Sequence, residues 1–228
     1  MRLERASYKA IKYACSHFHY AKRLPAQPMI GFSVFEDDSW CGVIVFNAGI
    51  GNINKPYELN KGEVAELVRV ALNGKQSQTS KALSIALKLF RNQNPLCKLV
   101  VSYADSDENH IGVIYQATNW FFVSSHKTGD KFIDCNGKEI HSRSHSPTGY
   151  NIQFGVRKRV VKTSDLTRVK KGVKHKYIYP LRKELIPLCR SLAKPYPKKQ
   201  AQEVLQAAHL ATSQEEGFDS TPALKLQK

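Results

Sequence analysis

A strand, a polar loop, a mostly apolar helix and a second strand follow one another between residues 64 and 104. This order limits the possible folds more than any other feature of the chain. Val64–Leu72 alternates weakly and ends at Asn73-Gly74, which indicates a strand and a turn. Residues 80–92 have one narrow polar stripe, which predicts a helix packed on a sheet. Residues 98–104 form a buried-strand pattern, so the segment predicts a βαβ unit within an α/β domain.

The flanking segments predict further elements of the same class. The expected elements are a helix at 8–18, a hairpin at 29–35 and 40–46, a short helix at 110–118, a strand at 120–124 and a hairpin at 131–134 and 138–141. The expected fold is therefore a mixed central sheet flanked by helices. We expect residues 1–155 to form the core and residues 156–212 to form a basic extension packed on it, with a short helix near 200–210. Residues 213–228 are expected to be a flexible tail.

Positive charge is concentrated in one C-terminal segment. The chain has 35 Lys and Arg against 19 Asp and Glu, and residues 157–199 contribute +13 of the net +16. A solvated surface usually mixes the two signs, so this segment predicts binding of a polyanion. Nucleic acid is favoured over a membrane, because no apolar amphipathic face accompanies the charge. A basic tail that only maintains solubility is the alternative.

Basic residues interleaved with tyrosines would suit a surface that neutralises phosphates and stacks on a base. An edge strand kept soluble by its lysines is the other interpretation. The predicted DNA-binding residues are His141, Arg143, Arg157, Lys158, Arg159, Lys170, Lys171, Lys174, Lys176, Tyr177 and Tyr179.

The expected compartment is the cytoplasm. The longest apolar runs are too short to cross a bilayer, and the charged N-terminal segment has no apolar centre of a signal peptide. The 5 cysteines are scattered and form no CxxC pair, which argues against a thiolate zinc site or a disulfide framework. We expect most of them to be buried.

The loop between the central strand and helix has the features of a phosphate site. Residues 72–80 place Gly74 and several donors before a helix N-terminus, where free N–H groups and the helix dipole attract anions. Lys75, Ser77, Thr79 and Ser80 are the candidate ligands. The loop is not a Walker motif, and an ordinary helix cap is the alternative.

Two further clusters could carry chemistry. Asp105 follows a buried strand, where open α/β sheets place ligands, and Tyr115 lies in the next helix. The aspartate could accept a proton and the tyrosine could donate one to a leaving group, or they could cap a helix and fill the core. His19-Tyr20 could supply a base or a metal ligand, although a lone histidine is usually structural.

The order of elements resembles the GNAT acyltransferases. In that family the loop after the fourth strand holds the pyrophosphate of acyl-CoA, and the following strands splay to admit its pantetheine arm. The loop of this chain lacks the family's usual Arg/Gln-x-x-Gly-x-Gly/Ala pattern.

Several motifs together resemble the Mom family of phage DNA-modification proteins, which is regarded as GNAT-like. The matching motifs are His19-Tyr20, Glu66-Leu67-x-Arg69, the helix start at 77–83, Val101-Ser-Tyr-Ala-Asp105 and His110-x-Gly-x-Ile-Tyr-Gln-Ala-Thr118, with weaker matches at 137–143 and 175–181. The resemblance implies conversion of adenine in DNA to its N6-carbamoylmethyl form, which protects phage DNA from host restriction. It also implies acetyl-CoA or a related acyl donor, and an iron ion.

Carried onto this chain, the resemblance implies roles for His19, Tyr20, Arg69, Ser80, Asp105 and Tyr115. Arg69 would orient the donor or an anion, Asp105 or His19 would act as the base, and Tyr20 or Tyr115 would form an aromatic wall. His19, Tyr20 and Asp105 would be the iron ligands. The substrate would be double-stranded DNA with the adenine flipped from the stack, in the host cytoplasm. The oligomeric state stays open, a homodimer included.

Two other functions fit the same sequence. One is acetyl-CoA-dependent N-acetylation of RNA or protein on the same scaffold. The other is nucleic-acid binding without catalysis.

Overall fold

The computed structural model describes residues 1–49, 51–169 and 172–198. Its helices are α1 Tyr8–His17, α2 Thr79–Gln93, α3 Val113–Gln116 and α4 Ile186–Leu192. Its strands are β1 Arg2–Arg5, β2 Met29–Glu36, β3 Ser39–Asn47, β4 Val64–Leu72, β5 Leu99–Asp105, β6 Phe121–Lys127, β7 Lys131–Ile133, β8 Glu139–Ile140, β9 His145–Ser146, β10 Tyr150–Gln153, β11 Val156–Arg159, β12 Val161–Lys162, β13 Thr167–Val169 and β14 Val173–Pro180.

Seven strands form the central sheet, in the order β1-β2-β3-β4-β5-β14-β6. β4 and β5 pair in parallel, as a βαβ unit requires, and the other neighbouring pairs are antiparallel. The predicted fold class, a mixed central sheet flanked by helices, is confirmed.

Helices cover both faces of this sheet. The buried face of α2, which includes Leu83, Leu87 and Phe90, packs in one cluster with Phe46 and Val100 of the sheet. Burying side chains of this size stabilises the fold by about 1.5–3 kcal/mol each. On the opposite face, α1 packs against β3 and β4, and α4 packs near β5 and β14. The sheet is therefore the middle layer of three.

The domain boundary predicted after residue 155 is wrong. β14 lies inside the central sheet between β5 and β6, and residues Met1–Tyr196 form one compact unit. β6 and β14 are sheet neighbours, so residues 128–172 leave the sheet and return to it. We call this segment the insertion; its described part carries β7–β13 in three small sheets. The tail predicted at 213–228, and the helix predicted near 200–210, lie outside the described residues.

The short helix predicted at 110–118 is reduced to α3. Gly112 precedes α3 with a φ of +84°, which only glycine adopts readily, so the helix cannot begin earlier. A Cβ atom at Gly112 would lie 2.4 Å from the Tyr177 ring, so the residue also permits close packing on β14. The helices predicted at 8–18 and 80–92 and both predicted hairpins are present within a few residues.

The cysteines and the lengths of the helices were both subjects of expectations from composition. Cys15, Cys41, Cys97 and Cys189 are buried and Cys135 is exposed, which confirms that most cysteines are buried. In the described ranges, no helix has both the length and the apolar character needed to cross a membrane.

Candidate active site at the split between two strands

The parallel strands β4 and β5 separate halfway along their length. Their pairing runs from Val64 opposite Leu99 to Leu67 opposite Ser102, and both strands then continue without pairing to each other. The register of β3 against β4 shifts at the same level, which leaves Val68 as a bulge. A bulge bends its strand locally, so β4 turns away from β5 and the sheet opens. This is the splay that the acyltransferase resemblance implies.

A cleft of about 760 Å³ lies at the opening, toward α2 and α3; we call it the first cleft. It gathers residues that are far apart in the sequence and were predicted to be functional. These are His19, Tyr20, Arg69, Thr79, Ser80 and Tyr115. Two predicted donor-binding residues, Lys75 and Ser77, do not line it.

A second cleft of about 530 Å³ lies on the other side of the same opening. It contains the predicted residues Asp105, Lys174 and Lys176, together with Glu66 and His126. The two clefts share five lining residues, which are Tyr20, Leu67, Val68, Arg69 and Tyr103. The two clefts therefore border each other at the split in the sheet.

Arg69 lies where the two clefts meet, and its guanidinium has a hydrogen-bond donor without a partner. Its Nη1 donates to the carbonyl of Val68 at 2.7 Å, which fixes the side chain beside the bulge. Its Nε is buried and has no hydrogen-bond partner among the described residues. A buried donor without a partner is costly, and a ligand carbonyl or anion could accept from it.

The loop before α2 already holds a carboxylate. Oε2 of Glu36 accepts from the backbone N–H of Ser77 at 3.1 Å and from its hydroxyl at 2.9 Å. These bonds lower the pKa of Glu36. Ser77 is therefore occupied, and the Thr79 hydroxyl accepts from Gln76 Nε2 at 2.9 Å. Ser80 and the open N-terminus of α2 remain as the anion-attracting groups that face the first cleft.

His19 is held neutral. Burial, with the nearby charge of Arg69, lowers the pKa of His19 to about 4. Its Nδ1 accepts from the backbone N–H of Ala21 at 3.1 Å, and its ring packs against Tyr20 with centroids 4.3 Å apart. A base with so low a pKa accepts a proton weakly at neutral pH.

Tyr115 is buried with its hydroxyl beside Ser102. Ser102 Oγ lies 2.8 Å from the Tyr115 hydroxyl oxygen and 2.8 Å from the carbonyl oxygen of Leu67, and its single proton can serve either bond; when it donates to Tyr115, the phenol proton is free. Burial raises the pKa of Tyr115 to about 12, so the phenol keeps its proton at neutral pH. Because Tyr115 packs on Trp120 and Tyr177 and also lines the first cleft, it is part of both the core and the site.

Asp105 also has a structural role and a place in a cleft. Its Oδ1 accepts from the N–H of Asp107 at 3.2 Å, which caps a short 3₁₀ turn, and its Oδ2 lies 3.6 Å from Lys174 Nζ. The register places Asp105, Lys174 and His126 side by side on neighbouring strands. The carboxylate is therefore already engaged on both oxygens.

Glu66 is a site residue that we did not predict. It lines the second cleft, and burial raises its pKa against the opposing charges of Arg69 and Lys174. Its only sequence signal was its position in the Glu66-Leu67-x-Arg69 motif, three residues before the arginine.

The ligand set predicted for iron is not assembled. His19 lines only the first cleft and Asp105 only the second, although Tyr20 borders both. Across residues 1–49, 51–169 and 172–198, no three His, Cys, Asp or Glu side chains are grouped so that they could hold a metal ion. The structure therefore gives the iron expectation no support.

The predicted DNA-binding residues fall into three groups. His141, Arg143, Arg157, Lys158 and Arg159 are exposed on the insertion. Lys174 and Lys176 lie in the second cleft, where burial lowers the pKa of Lys176. Lys170 and Lys171 lie outside the described residues.

The predicted stacking role of the two tyrosines of β14 is not supported by their positions. Tyr177 is wrong as a DNA contact, because it is fully buried and donates a hydrogen bond to the carbonyl of Ile111. Tyr179 is partly buried and packs on Trp120 with ring centroids 5.4 Å apart. Alternation along β14 points both rings into the core and the lysines the other way.

Comparison with known proteins agrees with the motifs gathered at the site. Methylcarbamoylase mom of Escherichia phage Mu is 29% identical over 189 residues, which cover 79% of this chain and 76% of that protein. The solved structures that resemble the chain include aminoglycoside 6'-acetyltransferase type Ii, with a TM-score of 0.45, 9% identity and coverage of 80% and 98% of the two chains. Arabidopsis thaliana NAA60 in complex with a bisubstrate analogue has a TM-score of 0.45, 8% identity and coverage of 79% and 99%. A family model described as the Mom protein family matches residues 1–198, and the chain therefore belongs to the Mom family.

Proposed function

We propose that this chain is a phage DNA-modifying transferase that attaches a carbamoylmethyl group to N6 of adenine. The observation that carries the proposal is the pair of clefts joined at the split between β4 and β5. Membership of the Mom family, and the name methylcarbamoylase given to the phage Mu relative, support the same reaction class.

The first cleft is the compartment for the donor, which we take to be an acyl-CoA-like compound that carries the whole carbamoylmethyl group, amide nitrogen included, on a leaving group. The N-terminus of α2, with Ser80 beside it, would face donor phosphates, and the neighbouring loop already accepts the Glu36 carboxylate. The unpartnered Nε of Arg69 would donate to the donor carbonyl. Such a donor, when bound, supplies an activated carbon at the split.

The second cleft is the compartment for adenine, and Glu66 is its base. N6 is a poor nucleophile because its lone pair is delocalised, so it needs a proton acceptor as the new N–C bond forms. His19, with a pKa of about 4, is poorly suited to this role, and both oxygens of Asp105 are engaged. The raised pKa of Glu66 brings it closer to neutral pH, where a general base is most effective.

The proton balance assigns a role to Tyr115. As N6 bonds to the methylene carbon of the carbamoylmethyl group, the bond from that carbon to the rest of the donor breaks, one N6 proton passes to Glu66 and the leaving group departs into the first cleft. Tyr115 lines that cleft and is protonated, so its hydroxyl can donate to the leaving group. Asp105 and Lys174 act as an ion pair that shapes the adenine compartment.

The substrate is DNA inside the infected host cell. An adenine in a duplex cannot reach a cleft unless it leaves the base stack. Tyr20, which is 45% exposed at the border of both clefts, offers a ring on which the extruded base can stack. The exposed basic residues of the insertion would neutralise the phosphates.

Nucleoside mass spectrometry of host DNA after expression tests the proposal. We expect carbamoylmethyladenine with the wild type, its loss with Glu66→Gln, and no loss with Glu184→Gln, an exposed acid outside both clefts. Acetyl, unlike carbamoylmethyl, contains no nitrogen, so the two products differ in mass. Detection of N6-acetyladenine would instead identify simple acetyl transfer. Unchanged adenine together with tight DNA binding would identify a binding protein without catalysis and refute the proposal.

A further inference from the structure

An exposed aromatic side chain lies at the tip of a hairpin in the insertion. β10 and β11 pair from Tyr150 opposite Arg159 to Gln153 opposite Val156, so Phe154 and Gly155 form a two-residue turn. Both turn residues have positive φ, 53° and 78°. This backbone favours Asn, Asp or Gly, and a bulky residue there is an outlier. A strained residue at an exposed tip points to function rather than packing.

The tip is apolar and is covered by nothing in the described chain. Phe154 is 95% exposed, Ile152 73% and Val156 57%. Hydrophobic side chains grouped in this way on a soluble surface mark a site of interaction. Together these three side chains form a small apolar projection.

The two faces of this hairpin make different contacts. The amides of Asn151 and Gln153 donate to the carbonyl of Arg143 at 3.2 and 2.7 Å, which anchors one face to the insertion. Strand alternation places Tyr150, Ile152 and Arg157 on the other face, where the guanidinium of Arg157 lies 4.2 Å from the centre of the Tyr150 ring. The hairpin is therefore held from behind and presents its tip and a basic aromatic face outward.

The charge of the hairpin selects a polyanion. Residues 150–159 contain Arg157, Lys158 and Arg159 and no acidic residue. A duplex offers both required features, namely phosphates for the basic residues and a base stack into which an apolar side chain can insert.

The insertion leaves and rejoins the sheet at the end that carries the second cleft. It begins after Lys127 and returns at Val173, which are directly next to His126 and Lys174 of the second cleft. The insertion is therefore attached to the sheet beside residues that line that cleft.

We propose that the 150–159 hairpin is a DNA wedge, in which Phe154 inserts into the base stack beside the target adenine while Arg157 and Arg159 on the outward face hold the flanking phosphates. This inference rests on the proposed function, since it supplies the step that moves adenine out of the duplex. The inserted ring would fill the gap and slow the return of the base.

Phe154→Ala and Phe154→Trp test the wedge, with Leu96→Ala as the control, because Leu96 is 80% exposed and lies outside the insertion. Plasmid DNA is offered as a duplex and after heat denaturation, and modified adenine is counted by mass spectrometry. We expect Phe154→Ala to lower modification of the duplex by about tenfold or more, with little effect on denatured DNA. Phe154→Trp and Leu96→Ala should retain activity on both substrates. Equal activity of Phe154→Ala and wild type on duplex DNA would overturn the proposal.

A second measurement separates failure of the wedge from failure of the proposed function. Permanganate oxidises unpaired thymines, so wild-type protein bound to the plasmid should make the thymines opposite extruded adenines reactive, whether or not modification follows. Phe154→Ala should abolish this reactivity while the thermal unfolding temperature stays unchanged. Absent reactivity in the wild type, or Phe154-dependent binding to anionic lipid vesicles in its place, would refute the wedge.

Discussion

His19→Gln should remove a pH dependence of stability that comes from one buried ring. The structure lowers the pKa of His19 from 6.5 to about 4, first through burial and then through the charge of Arg69. Its Nδ1 also accepts the N–H of Ala21, a bond that is lost when that nitrogen binds a proton. Between these two pKa values the unfolded chain binds a proton that the folded chain does not.

The sign and size of the effect follow from linkage. Because the unfolded state binds more protons in this window, the free energy of unfolding rises with pH between about 4 and 6.5. At about pH 5 the wild type should have lost about 2 kcal/mol relative to neutral pH through this residue alone. This loss of about 2 kcal/mol is an upper limit, since the His19 ring is partly exposed and solvent screens its charge. Glutamine keeps an acceptor and does not titrate.

Urea unfolding of both proteins at about pH 7.5 and pH 5 measures this difference. The pKa values of Glu36 and Glu63 are lowered, so protonation of these two carboxylates at acid pH also lowers the free energy of unfolding. They are present in both proteins, so their contribution cancels in the comparison. If the free energies of unfolding of the wild type and His19→Gln fall equally between the two pH values, the reasoning is refuted and His19 is again a candidate base.

Three other predictions concern the base, the DNA surface and the packing of α3. Glu66→Gln should slow modification by about 10²–10⁴-fold. It should not lower the free energy of unfolding at neutral pH, because a carboxyl whose pKa is raised by folding destabilises the folded protein as pH rises through that pKa. Unchanged modification would exclude Glu66 as the base. Replacing Arg157 and Arg159 of β11 by glutamine should reduce the slope of log affinity against log salt by about 2, and an unchanged slope would remove them from the DNA surface. Gly112→Ala should destabilise the fold by about 1–3 kcal/mol, since its Cβ would meet the Tyr177 ring at 2.4 Å. Gly129→Ala, with nothing within 4 Å, should not, and equal unfolding temperatures would contradict this account.

Local pattern was enough to predict the central part of the fold. The helix at α2 and the strands on either side of it have strong apolar periodicity, and their ends fall within two residues of the predicted positions. β14 was misplaced for a physical reason. Its lysines alternate with aromatic residues, as on an exposed edge strand, but they line a cleft whose existence depends on distant strands. Periodicity identifies a polar face and does not say whether that face meets bulk water.

The site was predicted in part for a related reason. Family motifs located His19, Arg69 and Tyr115, which the fold brings to one cleft. Glu66 and Phe154 were missed, since the first depends on the split between two strands and the second on a turn whose backbone disfavours its own residue. Neither feature leaves a composition signal.

The position of β14 also determines the order in which the protein can be completed during synthesis. The ribosome releases β5 and β6 early, but the strand between them emerges only after the whole insertion has been made. Until then two strand edges beside the two clefts stay unpaired, and the second cleft lacks Lys174 and Lys176. A nascent chain would therefore complete the proposed active site only after the insertion, the proposed DNA-binding segment, has been synthesised.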